Sequence, residues 1–267
     1  MKLTGLRALV VVITVMALFS LVGMGYTVAE LEDIAANELI PEISAAAGIA
    51  LADSYADTMT EAELEALAVN GRTIGLRTAS ADALAIQYRA KTEDEIMAIL
   101  KGTADPMIRA AAIEPALIYL ISTTSDAEDF SLTDYLKDIA INGETHEMRL
   151  AAAKAYYFMM RASLKAADLE AQAVISDSAE LAYAAGEVLA GFYLSFNPKT
   201  QAELEDLALS GESEGMRVAG GIALATLLVN SDLKAGDIEV TIVSITGTKS
   251  AEYRGAYITA LAVRYGS

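Results

Sequence analysis

Residues 142–156, NGETHEMRLAAAKAY, run from a Gly-containing turn through an apolar residue to Arg149, then into an Ala-rich stretch that begins at Ala151. The same frame recurs as NGRTIGLRTASADAL from Asn70, KGTADPMIRAAAIEPAL from Lys101, SGESEGMRVAGGIAL from Ser210 and TGTKSAEYRGAYITAL from Thr246. Two weaker copies, NELIPEISAAAGIAL from Asn37 and ISDSAELAYAAGEVL from Ile175, carry Ser44 and Ala182 where the others have Arg. The frame residues are therefore Ser44, Arg77, Arg109, Arg149, Ala182, Arg217 and Arg254, separated by 33, 32, 40, 33, 35 and 37 positions. Self-similarity at this period marks two-element units, each too small to bury its own apolar face, that make a core by stacking on their neighbours.

Upstream of each frame lies a second segment with helical signals. Thr60 with Glu63, Thr92 with Glu95 and Thr200 with Glu203 have the spacing of a capping box, in which hydroxyl and carboxylate each satisfy an orphan amide at a helix start. Leu64, Leu67 and Ala68, and again Leu204, Leu207 and Ala208, then follow at helical spacing. Gly71, Gly102, Gly143 and Gly211 close these segments, where a left-handed residue is cheapest for glycine. The unit reads as helix, tight turn, helix. The spacing of 40 is explained by a polar loop, Thr123 to Asp129. Glu239 to Thr246, EVTIVSIT, is rich in β-branched residues and would pass for a strand by itself; the repeat register makes it a helix.

The expected fold class is all-α, an α-solenoid of about seven helix pairs. These units resemble HEAT repeats, and more closely the short phycobilisome-lyase type, in which a turn leads into an apolar residue, Arg and an Ala-rich second helix. The resemblance covers residues 28–267 and includes the Ala two places beyond every frame position, from Ala46 to Ala256. It implies that Arg77, Arg109, Arg149, Arg217 and Arg254 form a structural ladder between repeats, each Arg paired with a turn Asp. In this chain the turn Asp appears only as Asp105 and Asp177, while other turns offer Glu144 or Glu147 and Glu212 or Glu214.

The N-terminus has a different character. Lys2 and Arg7 precede an uncharged stretch from Ala8 to Tyr26, the layout of a signal peptide and also about the length of a membrane span. Residues 1–27 are accordingly expected to be a signal peptide or an uncleaved anchor. Either way, the basic residues on their N-terminal side put residues 28–267 outside the cytoplasm, in the periplasm, at the surface or secreted.

Composition narrows the chemistry. The formal charge is -18, from 37 acidic and 19 basic side chains, so the basic footprint of a nucleic-acid binder is missing. The absence of Cys removes disulfides, thiolate metal sites and cysteine nucleophiles. His146 and Glu147 form a pair of the kind some HEAT-like iron hydroxylases use repeatedly, but the chain has a single His. Asp126, Glu128, Asp129 and Asp134 lack the glycine and alternating spacing of a calcium loop. The expectation is thus a protein without catalytic residues, metal or cofactor, and without nucleic-acid binding, that binds a protein partner through the concave face of the solenoid. It touches a membrane only through an uncleaved N-terminal segment, and self-association is the structural alternative.

Two features suggest where such a partner docks. Five places beyond the frame stand Ile49, Asp82, Glu114, Lys154, Glu187, Ile222 and Thr259, and the charges in the middle of this series mark a solvated stripe on the second helices. Lys154, Tyr157 and Arg161, at helical spacing, form the expected contact group, since exposed Tyr and Arg are favoured in interface hot spots. The concentration of Tyr and Phe between Tyr119 and Phe196 keeps a small-ligand pocket in those repeats as the alternative.

Overall fold

The computed structural model describes residues 26–266 except 103, 123–129 and 246–248. Among the described residues the chain is all-helical, with no strand. The first helices of the units are α1 (Val28–Asn37), α3 (Glu61–Asn70), α5 (Glu93–Lys101), α8 (Phe130–Asn142), α10 (Ala166–Val174), α12 (Gln201–Ser210) and α14 (Ala235–Ile245). The second helices are α2 (Pro41–Thr58), α4 (Ile74–Tyr88), α6 (Pro106–Ala111) continued by α7 (Ile113–Ser122), α9 (His146–Met160), α11 (Ala179–Ser195), α13 (Glu214–Val229) and α15 (Ala251–Gly266). The break between α6 and α7 has a local cause: Pro115 has no amide to give Ala111, four residues back, and its ring crowds that carbonyl.

The capping signals act as the sequence requires. Thr60, Thr92 and Thr200 each accept from the amide three residues on, while Glu63, Glu95 and Glu203 reach back to the cap; Thr27 and Glu30 make a fourth such box. The closing glycines behave differently from expectation. Gly71 and Gly211 have φ of -56° and -51°, and no described glycine is left-handed. Space explains them instead: a Cβ on Gly71 would stand 2.6 Å from the Leu67 carbonyl and 2.9 Å from Cγ of Arg77, which lies across the turn. Gly143 and Gly211 meet Arg149 and Arg217 in the same way. The β-branched segment is helical as the register demanded, burying Ile238, Ile242 and Ile245 and exposing Val240 and Val243; Thr246 and the loop 123–129 lie outside the described residues.

Each first helix packs on its own second helix, and the second helices contact one another in order: α2 on α4, α4 on α6, α7 on α9, α9 on α11, α11 on α13 and α13 on α15. The series then returns to its start, because α15 packs on α2. Each first helix also touches the second helix of the following unit, and α14 touches α2 in the same manner. The contacts are thus cyclic in both layers. The helix starts of all the second helices lie on one side, here the turn rim, and their C-terminal ends on the other, the return rim.

The core is Ala and Leu where second helices meet, with Tyr at their ends. Tyr88, Tyr193 and Tyr265 are fully buried, and each hydroxyl donates to a carboxylate on its own unit's first helix: Glu65 at 3.2 Å, Glu170 at 2.9 Å and Glu239 at 2.8 Å. A buried phenol is stable only with such an acceptor, and burial together with the carboxylate pushes all three phenols above their ordinary pKa.

Candidate functional site

On the turn rim the frame arginines bridge units. Arg109 Nε lies 2.8 Å from Glu147, Arg149 Nε 2.9 Å from Glu180, Arg217 Nε 3.4 Å from Glu252, and Arg254 Nε 3.4 Å from Glu42. The partner is therefore not the turn Asp of the resemblance but a Glu two places before the next frame position, in the first turn of the next second helix. The helix start itself favours a carboxylate there. Burial raises Glu147, but the hydrogen bond and charge of Arg109 outweigh it and hold the group below the usual carboxylate range; His146 and Arg149 act likewise on Glu180. The last pair joins the seventh unit to the first. Arg77 is the exception, since the following unit has Met107 at the Glu position and Arg77 Nε is buried without a partner among the described residues.

His146 and Glu147 are drawn apart by this scheme, His146 Nδ1 lying 3.0 Å from Glu180 while Glu147 holds Arg109. The cap hydroxyls add a second bridge: Thr73, Thr145, Ser213 and Ser250 donate to carbonyls of the preceding unit's first helix, Ala35, Leu100, Ala173 and Ala208, at 2.6–2.7 Å. Four of the five frame arginines are thus occupied in stacking.

The expected contact group does not form one surface. Tyr157 is 2% exposed, its ring edge-on to Tyr156 and its phenol pushed up to about 12 by burial. Lys154 is half-buried and bound to Glu187 at 2.8 Å, and Arg161 lies over its own helix's Phe158 ring at 3.4 Å near the return rim. Helical spacing aligned these three residues, but α8 and α11 pack on this helix and Tyr157, in the middle of the row, is buried. The tyrosine-rich repeats hold a cavity of about 130 Å³ beside Tyr156, Tyr157 and Lys137.

The stripe five places beyond the frame is half-buried from Ile49 to Thr259, with Ile222 exposed. Of this stripe, Asp82, Glu114 and Lys154 line one cavity of about 320 Å³.

The return rim carries another feature that helical periodicity did not reveal. Tyr26, at the exit of the N-terminal segment, packs on Tyr265 with ring centroids 4.7 Å apart. On the same rim Phe196 is 81% exposed, and Leu233, whose carbonyl accepts from Arg264, is also exposed, as is Val28. These belong to units five, six, seven and one, which follow one another around the cycle. The available signal was an apolar residue in a return loop, FNP at Phe196 and SDL ending at Leu233. No family description, curated protein or solved structure matches the chain.

Proposed function

We propose that the chain is an exported HEAT-like α-solenoid of seven helix pairs, closed on itself, that serves as a non-catalytic scaffold for a protein partner at the cell envelope. The observation that carries this reading is the apolar arc of Phe196, Leu233, Tyr26 and Val28 on the return rim, beside the point where the apolar N-terminal segment leaves the helices. Accessible apolar residues gathered on one face mark an interaction surface more than scattered ones do. Leu39 and Ile175, more exposed than the arc, stand on the turn rim in units one and five, which are not adjacent in the cycle. Cyclic contact also changes the surface proposed from sequence: the partner meets a rim, because the concave face is the interior.

The test is affinity purification of the tagged full-length protein from its native envelope, with mass spectrometry of the co-purifying chains. The wild type and the control L39D/I175D retain a stoichiometric partner, whereas F196D/L233D loses it. Recovery of the folded wild type alone as a monomer, or equal loss in both double variants, overturns the proposal.

A further inference from the structure

The cavity between α4, α6, α7 and α9 has an unequal charge pattern. Glu114 has both oxygens 3.1 Å from Nη2 of Arg89, and Lys154 is matched by Glu187 at 2.8 Å. Asp82, midway along α4, is half-buried and has no partner among the described residues. Ala81, Met107 and Ile113 give the wall apolar surface, beside the Thr78 hydroxyl and the paired Glu114 and Lys154. The space therefore combines one uncompensated carboxylate with a partly hydrocarbon lining, at the lower end of the volumes that hold small ligands.

We infer that this cavity binds a small primary alkylammonium ion, its charge set on Asp82 and its hydrocarbon body against Met107, Ile113 and Ala81. A hard divalent ion needs six or more oxygens, and the only other carboxylate lining the cavity, Glu114, is already committed to Arg89. An anion would meet Asp82 and Glu114. Lys154 does not repel the ligand, because Glu187 neutralises it. An organic cation with an apolar tail matches both parts of the lining.

Burial first, then the proximity of Glu114, raises Asp82 to about 6. The groups facing it from the packed helices are Glu114 with Arg89, and Lys154 with Glu187 and Tyr183; Lys154 itself stays protonated, as Glu187 outweighs the effect of its burial. A bound ammonium favours the Asp82 carboxylate, so binding is full above pH 7 and weakens as pH falls through about 6.

The experiment titrates the full chain in mild detergent with n-butylammonium, n-butanol and calcium chloride, by calorimetry and by ligand-observed NMR. Butylammonium saturates one site, weakens at pH 5 relative to pH 8, and loses at least about tenfold in affinity in D82N, while butanol and calcium give no saturable signal. D82N keeps the shape and loses an unpaired charge, so its helical circular dichroism and unfolding midpoint serve as the fold control. Absence of saturable butylammonium binding, equal binding of butanol, calcium binding at the same site, or an unchanged affinity in folded D82N each overturns the assignment. The partner-capture experiment is independent of this site, since Phe196 and Leu233 lie on the return rim.

Discussion

Two kinds of junction join the units, and each is a matched pair. Where the frame residue is Arg109, Arg149, Arg217 or Arg254, the next second helix begins with Glu147, Glu180, Glu252 or Glu42, and the helices are held apart by an ion pair. Where the frame residue is Ser44 or Ala182, the Glu position holds Gly75 or Gly215 instead, and the helices meet backbone to backbone. A Cβ on Gly48 or Gly186 would stand 2.1 Å from the carbonyl of Gly75 or Gly215. Ser44 completes the first of these by donating to Ala35 O at 2.8 Å and accepting from the Gly75 amide at 3.1 Å. A long side chain and its counter-charge are replaced together or not at all, because either alone leaves a buried charge or a void. The junction from unit two to unit three breaks the rule, with Arg77 facing Met107.

Substitutions that cross the two kinds test this most severely. Gly75→Ala puts a methyl 2.3 Å from the Ser44 carbonyl, a clash only backbone movement relieves, and should cost about 3 kcal/mol or more in urea unfolding. The same change at the open Gly191, which has nothing within 4 Å, should leave stability unchanged or slightly raised.

Next in size is the removal of one ionic partner. Glu147→Ala leaves Arg109 mostly buried and should cost about 2 kcal/mol at pH 7, less than a fully desolvated pair because Arg109 keeps some water. Glu147 and Glu180 have depressed folded-state pKa values, so their contribution is fully present above the ordinary carboxylate range and is lost as pH falls below it through their lower folded-state values. A double variant E147Q/E180Q should therefore lose stability at pH 7 and show a flatter acid-unfolding profile than the wild type.

Glu42→Ala isolates the closing contact. Arg254 lies farther from its partner and is more exposed than Arg109, so the global cost should be about 1 kcal/mol. Hydrogen exchange should speed up in α2 and α15 before it does in α9, which reports opening of the cycle rather than uniform weakening. The smallest change repairs the exceptional junction: Met107→Glu gives Arg77 the acceptor it lacks and should stabilise by about 0.5–1 kcal/mol in thermal unfolding, whereas Arg77→Met should be near neutral.

Much of this was legible without coordinates. The frame and the capping boxes follow from local patterns, since a hydroxyl and a carboxylate three residues apart can do their work inside one turn, whereas the helical character of residues 239–245 came from the repeat register against their β-branched composition. That the stripe from Ile49 to Thr259 stays out of the fully buried core was also readable, because four charges in equivalent positions do not share a core, but its half-burial was not. Lys154, Tyr157 and Arg161 were misjudged as one group, since periodicity reports which residues share a helix face but not which part of that face a neighbour covers. The closing glycines were read as conformational when they are steric; φ at Gly71 is ordinary, and the demand comes from Arg77 across the turn.

Repeated helix pairs, the points where those helices begin and the residues that recur at their junctions can all be read from the chain alone, because caps, spacing and composition act within a unit. That α15 meets α2, that Arg254 finds Glu42 and that Asp82 is left unpaired beside a cavity emerge only when the units are packed together. Closure depends on the small rotation between neighbours summed over all units. That rotation is set by the volume and charge at each junction together, and no single unit contains it.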